Sequence, residues 1–272
     1  MARRTIVSMT VFAVALACSV IGTAQTQTQP QTRPWNNTGF TWTADQPLPV
    51  PRYDLTGIWD GGTAGISGQG HTTAPLTPWG ENMVTNVNKP GNGPRIAPLE
   101  EVNDPLSILC APAGFPRNLL YELRPFQVVQ TANSVLMLYM FEQRWRVIWT
   151  DGRALPEDPD PSWYGYSVGT WEDDQTFVVQ TVGLTEQTWL DNAGNPHSTD
   201  LRVEERYRRV AFDTLELTVR IDDPTAYTEP WLGRDRLPLR LLSSDTDLIE
   251  MICSPADARE YQRLVSGAAE TP

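Results

Sequence analysis

The sequence predicts a mostly-β protein: a single antiparallel β-barrel with a helix at its C-terminal end, a β-sandwich being the alternative. Three observations support this. From Phe126 onward apolar and polar residues alternate with a period of two, as in strands that bury one face. The alternating runs are short and close together, roughly nine of them, as in barrels and sandwiches. Turn-forming pairs such as Asn133-Ser134 and Asp173-Asp174 separate them.

The chain opens Met1-Ala2-Arg3-Arg4 and then runs apolar from Thr5 to Ile21. Two arginines, a short apolar stretch and small residues have the layout of a secretory signal peptide, and Gly22-Thr23-Ala24 places cleavage before Gln25. The run, about 17 residues, falls short of the roughly 20 needed to cross a bilayer, so no stable span is expected after the signal is removed. A retained N-terminal anchor is the alternative. Cys18 follows Ala15-Leu16-Ala17, a loose fit to a lipoprotein box. Residues 25–48 are rich in Gln, Thr, Pro and Asn and bury too little apolar surface to offset their ordering entropy. They read as a flexible leader to one domain over residues 49–272.

Within that domain Leu55 to Trp59 reads as the first strand and the glycine-rich stretch Gly61 to Gly70 as a loop. Pro75 to Val87 suits a short helix with Trp79, Met83 and Val87 on one stripe. Pro90 to Pro125 is proline-rich and loop-like. The strands that follow are Gln127 to Thr131, Val135 to Glu142, a run carrying Trp145, Val147 and Trp149, Tyr166 to Trp171, Thr176 to Val182, Leu201 to Val210, Leu215 to Asp222, Leu237 to Leu242 and Asp247 to Cys253. Ser254-Pro255-Ala256-Asp257 reads as a capped helix start, with Tyr261, Leu264 and Val265 as its apolar stripe.

Acidic residues outnumber basic ones 33 to 21. Such a surface repels phosphate backbones and anionic lipid, so no nucleic-acid partner is expected. Lys89 is the only lysine and sits in a turn, which argues against Schiff-base chemistry. Of three cysteines, Cys18 lies in the signal, leaving Cys110 and Cys253 to form a disulfide in an oxidising compartment. Two histidines far apart resemble no zinc pattern, and Asp222-Asp223-Pro224 lacks calcium-loop spacing, so no metal is expected. No Gly-x-Ser-x-Gly elbow or phosphate loop occurs, and no cofactor is expected.

The alternation itself points to candidate site residues. If Leu215, Leu217, Val219 and Ile221 face the core, the partner strand turns Val203, Glu205 and Tyr207 inward and Arg202, Glu204, Arg206 and Arg208 outward. Glu205 then needs an arginine such as Arg144 or Arg146, or a ligand, because an isolated buried carboxylate is costly. His197, in the loop before that strand, could act as a general acid or base, with Asp191 as its orienting partner. The aromatic and polar residues Trp163, Tyr164, Tyr166, Trp189, Gln180, Tyr227 and Trp231 are candidates for lining a ligand mouth, with Trp163, Trp189 and Trp231 in loops.

The stretch from Arg146 to Trp231 resembles a family of uncharacterised secreted bacterial proteins of the acidobacterial type. The matching residues are Trp149-Thr150-Asp151-Gly152-Arg153, Pro161-Ser162-Trp163-Tyr164-Gly165, Thr188-Trp189-Leu190-Asp191, Pro196-His197-Ser198, Glu205-Arg206-Tyr207-Arg208-Arg209 and Ile221-Asp222-Asp223-Pro224. Asn103-Asp104-Pro105-Leu106, Cys110, Gly114-Phe115-Pro116-Arg117 and Ile252-Cys253 extend it. Two positions depart: Ala154-Leu155-Pro156 stands where the family looks to carry a histidine, and Gln180 where it tends to carry an aspartate. Any family chemistry using that pair would be altered here. Gly57-Ile58-Trp59 is similar to the Gly-x-Trp opening of lipocalin-like barrels. That resemblance implies a cavity holding one small hydrophobic molecule. The alternative is a cofactor-independent hydratase, hydrolase or isomerase using His197, Asp191 and Glu205.

Overall fold

The computed structural model describes residues 48–67, 73–256 and 260. The signal peptide, nearly all of the leader, His71 and the body of the expected C-terminal helix lie outside the described residues. Of that helix only Pro255, Ala256 and Glu260 are described, and they are helical.

The strands are β1 (Gly57–Asp60), β2 (Phe126–Gln130), β3 (Ser134–Tyr139), β4 (Trp145–Trp149), β5 (Tyr166–Trp171), β6 (Thr176–Val182), β7 (Arg202–Ala211), β8 (Thr214–Asp222) and β9 (Trp231–Leu241). They follow one another around a closed barrel, and β9 returns to β1 through Trp59–Leu241 and Asp60–Arg240. Closure gives every strand a neighbour on both sides, although the first residues of β4 are unpaired on the β5 side. The barrel is antiparallel except at one step: β4 and β5 run parallel, paired at Ile148–Ser167 and Trp149–Val168. A parallel pair cannot be joined by a hairpin. The segment 150–165 therefore crosses from one rim of the barrel to the other.

Several elements differ from the sequence reading. Gly62–Ser67 forms a helical turn (α1) despite its glycines. Pro78–Asn82 (α2) starts on a Thr77 cap, then widens into a π-helical turn at Met83–Val87. That turn shifts the helical phase, so Val84 is buried and Val87 exposed, against the expected stripe. Trp231 opens β9 instead of lying in a loop. Asp247 to Cys253 makes no strand; its one ladder contact is a bridge between Phe141 and Met251. The Cys110–Cys253 disulfide is present, with Cα atoms 5.4 Å apart.

The alternation of β7 and β8 holds. Val203, Glu205, Tyr207 and Arg209 face inward, opposite the inward Leu215, Leu217, Val219 and Ile221. The long connections gather at the rim where β2, β4, β5, β7 and β9 begin. There the segment from Gly114 to Leu123, which contains α3's successor α4 (Arg117–Leu120; α3 is Pro105–Leu109), enters the barrel mouth. Phe115, Leu119, Leu120 and Leu123 are wholly buried in the core cluster. A Cβ on Gly233 of β9 would come within 2.5 Å of Leu120, so glycine is what lets this plug seat against the wall.

Candidate functional site

Inside the barrel, Glu205 meets Arg146, one of the two arginines its position called for. The guanidinium donates to both carboxylate oxygens at 2.6 and 2.9 Å. It also donates to Ser167 Oγ at 2.9 Å and Thr181 Oγ1 at 2.7 Å, while Tyr207 donates to Glu205 at 2.7 Å. The ring of Phe115 lies 3.9 Å from the guanidinium carbon. Opposite charge holds Arg146 protonated against its burial. Burial and the Glu205 charge drive the Tyr207 hydroxyl well above its usual range. The charges of Arg146 and Glu205 are thus met by side chains of the barrel itself.

Of the remaining site residues named from sequence, Asp191, His197, Tyr227 and Trp231 gather around the loop before β7 and the turn before β9, while Tyr166 and Gln180 lie on β5 and β6. His197 is buried; its Nδ1 lies 3.2 Å from the Ser198 carbonyl, and its Nε2 has no hydrogen-bond partner among the described residues. Asp223, at the end of β8, accepts from Ser198 N at 2.6 Å and Ser198 Oγ at 2.8 Å. It thereby ties the histidine loop to the turn before β9. The bonds described for Asp191 run to its own loop: Ala193 N, Asn195 N and Asn195 Nδ2, the last at 2.6 Å. Tyr227 donates to the Pro196 carbonyl at 2.9 Å and stands edge-on to Trp231, with ring centres 5.3 Å apart. Gln180 faces outward and donates to Glu204 at 2.6 Å. The Trp163 carbonyl accepts from Phe115 N at 2.8 Å. Tyr164 and Tyr166 lie together beside β4.

The buried, uncharged state of His197 has a measurable consequence. Desolvation lowers its pKa below the usual 6.5, outweighing the pull of Asp223. Below pH about 6.5 the unfolded chain takes up a proton that the folded protein refuses. Stability contributed by this residue is therefore complete above its unfolded pKa and declines as pH falls toward the folded value. Urea unfolding at pH 7.5 and 5.5 should show a steeper acid loss for the parent than for His197→Gln; equal losses would refute it.

The residues that converge on one concavity are those of the plug and its surroundings. A cleft of about 430 Å3 opens beside the plug, lined by Asn92, Asp104, Leu106, Ser107, Arg117, Tyr121, Glu122, Phe141 and Asn192. Asp104 caps α3 through Leu106 N, and Pro105 supplies the helix's first position. The same carboxylate receives Arg117 from α4 in a two-pronged bond at 2.8 and 2.7 Å. The Arg117 guanidinium lies 5.9 Å from the Tyr121 ring centre and 6.0 Å from that of Trp189. Glu122 pairs with Arg124 at 2.6 Å. Thr188 donates to the Ala113 carbonyl at 2.6 Å, and Glu142 accepts from Ala113 N at 2.8 Å, its pKa raised by burial. The Asp104–Arg117 pair was part of the sequence resemblance but not singled out as a site. The capping signature of Asp-Pro was the one local signal that could have flagged it.

No protein-family model, no curated protein and no solved structure matches this chain.

Proposed function

We propose that the protein is an exported binding protein that holds one small, uncharged molecule with an apolar face in the cleft beside the barrel plug. The observation that carries this reading is convergence. Asn92, the Asp104–Arg117 pair, Phe141 and Asn192 come from four separate segments of the chain, yet they line one concavity whose floor is a buried ion pair. Its volume falls within the range of small-molecule sites. Its acids are already matched, Asp104 by Arg117 and Glu122 by Arg124, which leaves no unpaired charge to recruit an ion. Leu106, Phe141 and the Tyr121 ring offer apolar contact, and Asn92, Asn192 and Ser107 offer hydrogen bonds at the edge. Support for export comes from the disulfide and the signal-like N-terminus. No helix among the described residues is long and apolar enough to cross a membrane.

Native mass spectrometry of the protein, incubated with pooled uncharged metabolites below about 500 Da, tests the reading. A discrete adduct is expected for the parent and for Trp145→Ala, which lies outside the cleft. Ser107→Trp, which fills the cleft, should lose it. An adduct that Ser107→Trp retains, or none with any pool, overturns the proposal.

A further inference from the structure

The outer face of β4 carries a second feature that the cleft does not use. Trp145, Val147 and Trp149 point away from the core while Arg146 and Ile148 point in. At 3.3 Å per residue the two tryptophans stand about 13 Å apart along the strand. Trp145 is 64% exposed, an unusual position for so large an apolar ring. The register between β4 and β5 begins at Ile148, so the start of β4 has no paired neighbour on that side. A groove of about 230 Å3 lies there, walled by Trp145, Trp149, Tyr164 and Tyr166.

Three of the four walls, Trp149, Tyr164 and Tyr166, are held in place before any ligand arrives. Arg153 lies 3.8 Å over the Trp149 ring, is gripped by Asp151 at 2.6 Å, and donates to the Tyr166 hydroxyl at 3.0 Å. Tyr164 stacks on Tyr139 with ring centres 6.4 Å apart. Rigid aromatic surfaces lose little freedom on binding. The groove is ring-sized, too small to seat a protein partner's anchor cluster. Its polar edge, made of Arg153, Asp151 and the Tyr166 hydroxyl, is suited to hydroxyl groups. The formal net charge of −12 disfavours an anionic partner, and the Arg153 charge is already matched.

We propose that this groove is a glycan-binding site, in which the apolar face of one pyranose ring of a neutral polysaccharide stacks on the exposed Trp145, with Tyr166 and the Arg153-covered Trp149 closing the groove. It stands independently of the cleft beside the plug. Affinity electrophoresis of the purified protein tests it, with gels cast with hydroxyethylcellulose, laminarin or dextran against gels cast with alginate. Retardation is expected in at least one neutral gel and not in alginate. Trp145→Ala should weaken that retardation roughly ten-fold, corresponding to about 1.4 kcal/mol, and Trp145→Phe should retain most of it. Ser107→Trp should behave as the parent, which separates this site from the cleft. Unchanged migration in every neutral gel, retardation in alginate alone, or retardation that survives Trp145→Ala in a protein of parental unfolding midpoint would overturn the proposal.

Discussion

Replacing Glu205 with glutamine should destabilise the protein by about 3–5 kcal/mol, among the largest losses any single substitution here can cause. The reason is the state it leaves behind. Arg146 is buried, and Glu205 is its counter-ion at 2.6 Å. Glutamine keeps the shape but removes the charge, stranding a guanidinium in the barrel centre. Ser167 and Thr181 would still accept its protons, yet neither carries charge. The double replacement Arg146→Met with Glu205→Leu should recover much of the loss, because two apolar side chains need no partner. Urea unfolding of the two single variants and the double measures this. A Glu205→Gln protein within about 1 kcal/mol of the parent would show that the pair does not set the stability of the interior.

Arg234→Met should cost about 3 kcal/mol or more through a different route. Arg234 of β9 is buried, and burial lowers its pKa to about 10. Its guanidinium donates to the carbonyls of Ala64 and Gly65 at 3.0 and 2.8 Å, and to those of Leu119 and Leu120 at 3.1 and 2.8 Å. One side chain thus pins α1 and the plug to the wall. Methionine fills the space but leaves those acceptors without their donor. Lysine should be intermediate, because a single ammonium cannot span four carbonyls fixed around a planar fork. Hydrogen exchange should localise the damage: amides of Leu119 and Leu120 should exchange faster in Arg234→Met, while those of β7 and β8 change least. Uniform acceleration across the barrel would contradict a clamp on the plug.

The parts of the fold legible in sequence were those with a local rhythm. β7 and β8 alternate cleanly, so the inward turn of Glu205 and its need for Arg144 or Arg146 could be read from residue types alone. The disulfide followed from counting cysteines. The parallel step between β4 and β5 has no local signature; whether β5 returns beside β4 in the same or the opposite sense depends on where residues 150–165 travel. The plug was hidden for a related reason. Pro112, Gly114 and Pro116 mark irregular backbone, and nothing in the period there announces that Phe115, Leu119, Leu120 and Leu123 are the most deeply buried side chains of the segment. The strand β9 read short because its pairing with β8 is irregular between Leu217 and Arg220, which breaks the two-residue count ahead of Leu237. Candidate site residues had no such rhythm to place them. The described bonds of Asp191 and His197 lie within the loop of residues 191–198, while Glu205 is held inside the barrel by Arg146 and Tyr207. The cleft instead draws on Asn92, Arg117 and Asn192, whose spacing carries no motif.

The closure of β1 on β9 has a consequence for how the molecule is made. A chain emerging from the ribosome or a translocation pore presents Trp59 well ahead of Leu241, and Cys110 well ahead of Cys253. Neither the ring nor the covalent bridge can be completed until β9 and Cys253 have been made, and until then β1 and the strand added last offer open hydrogen-bonding edges. The stretch between these partners must therefore be kept from self-association until both are present, and closure of the ring is a concerted step that waits for β9.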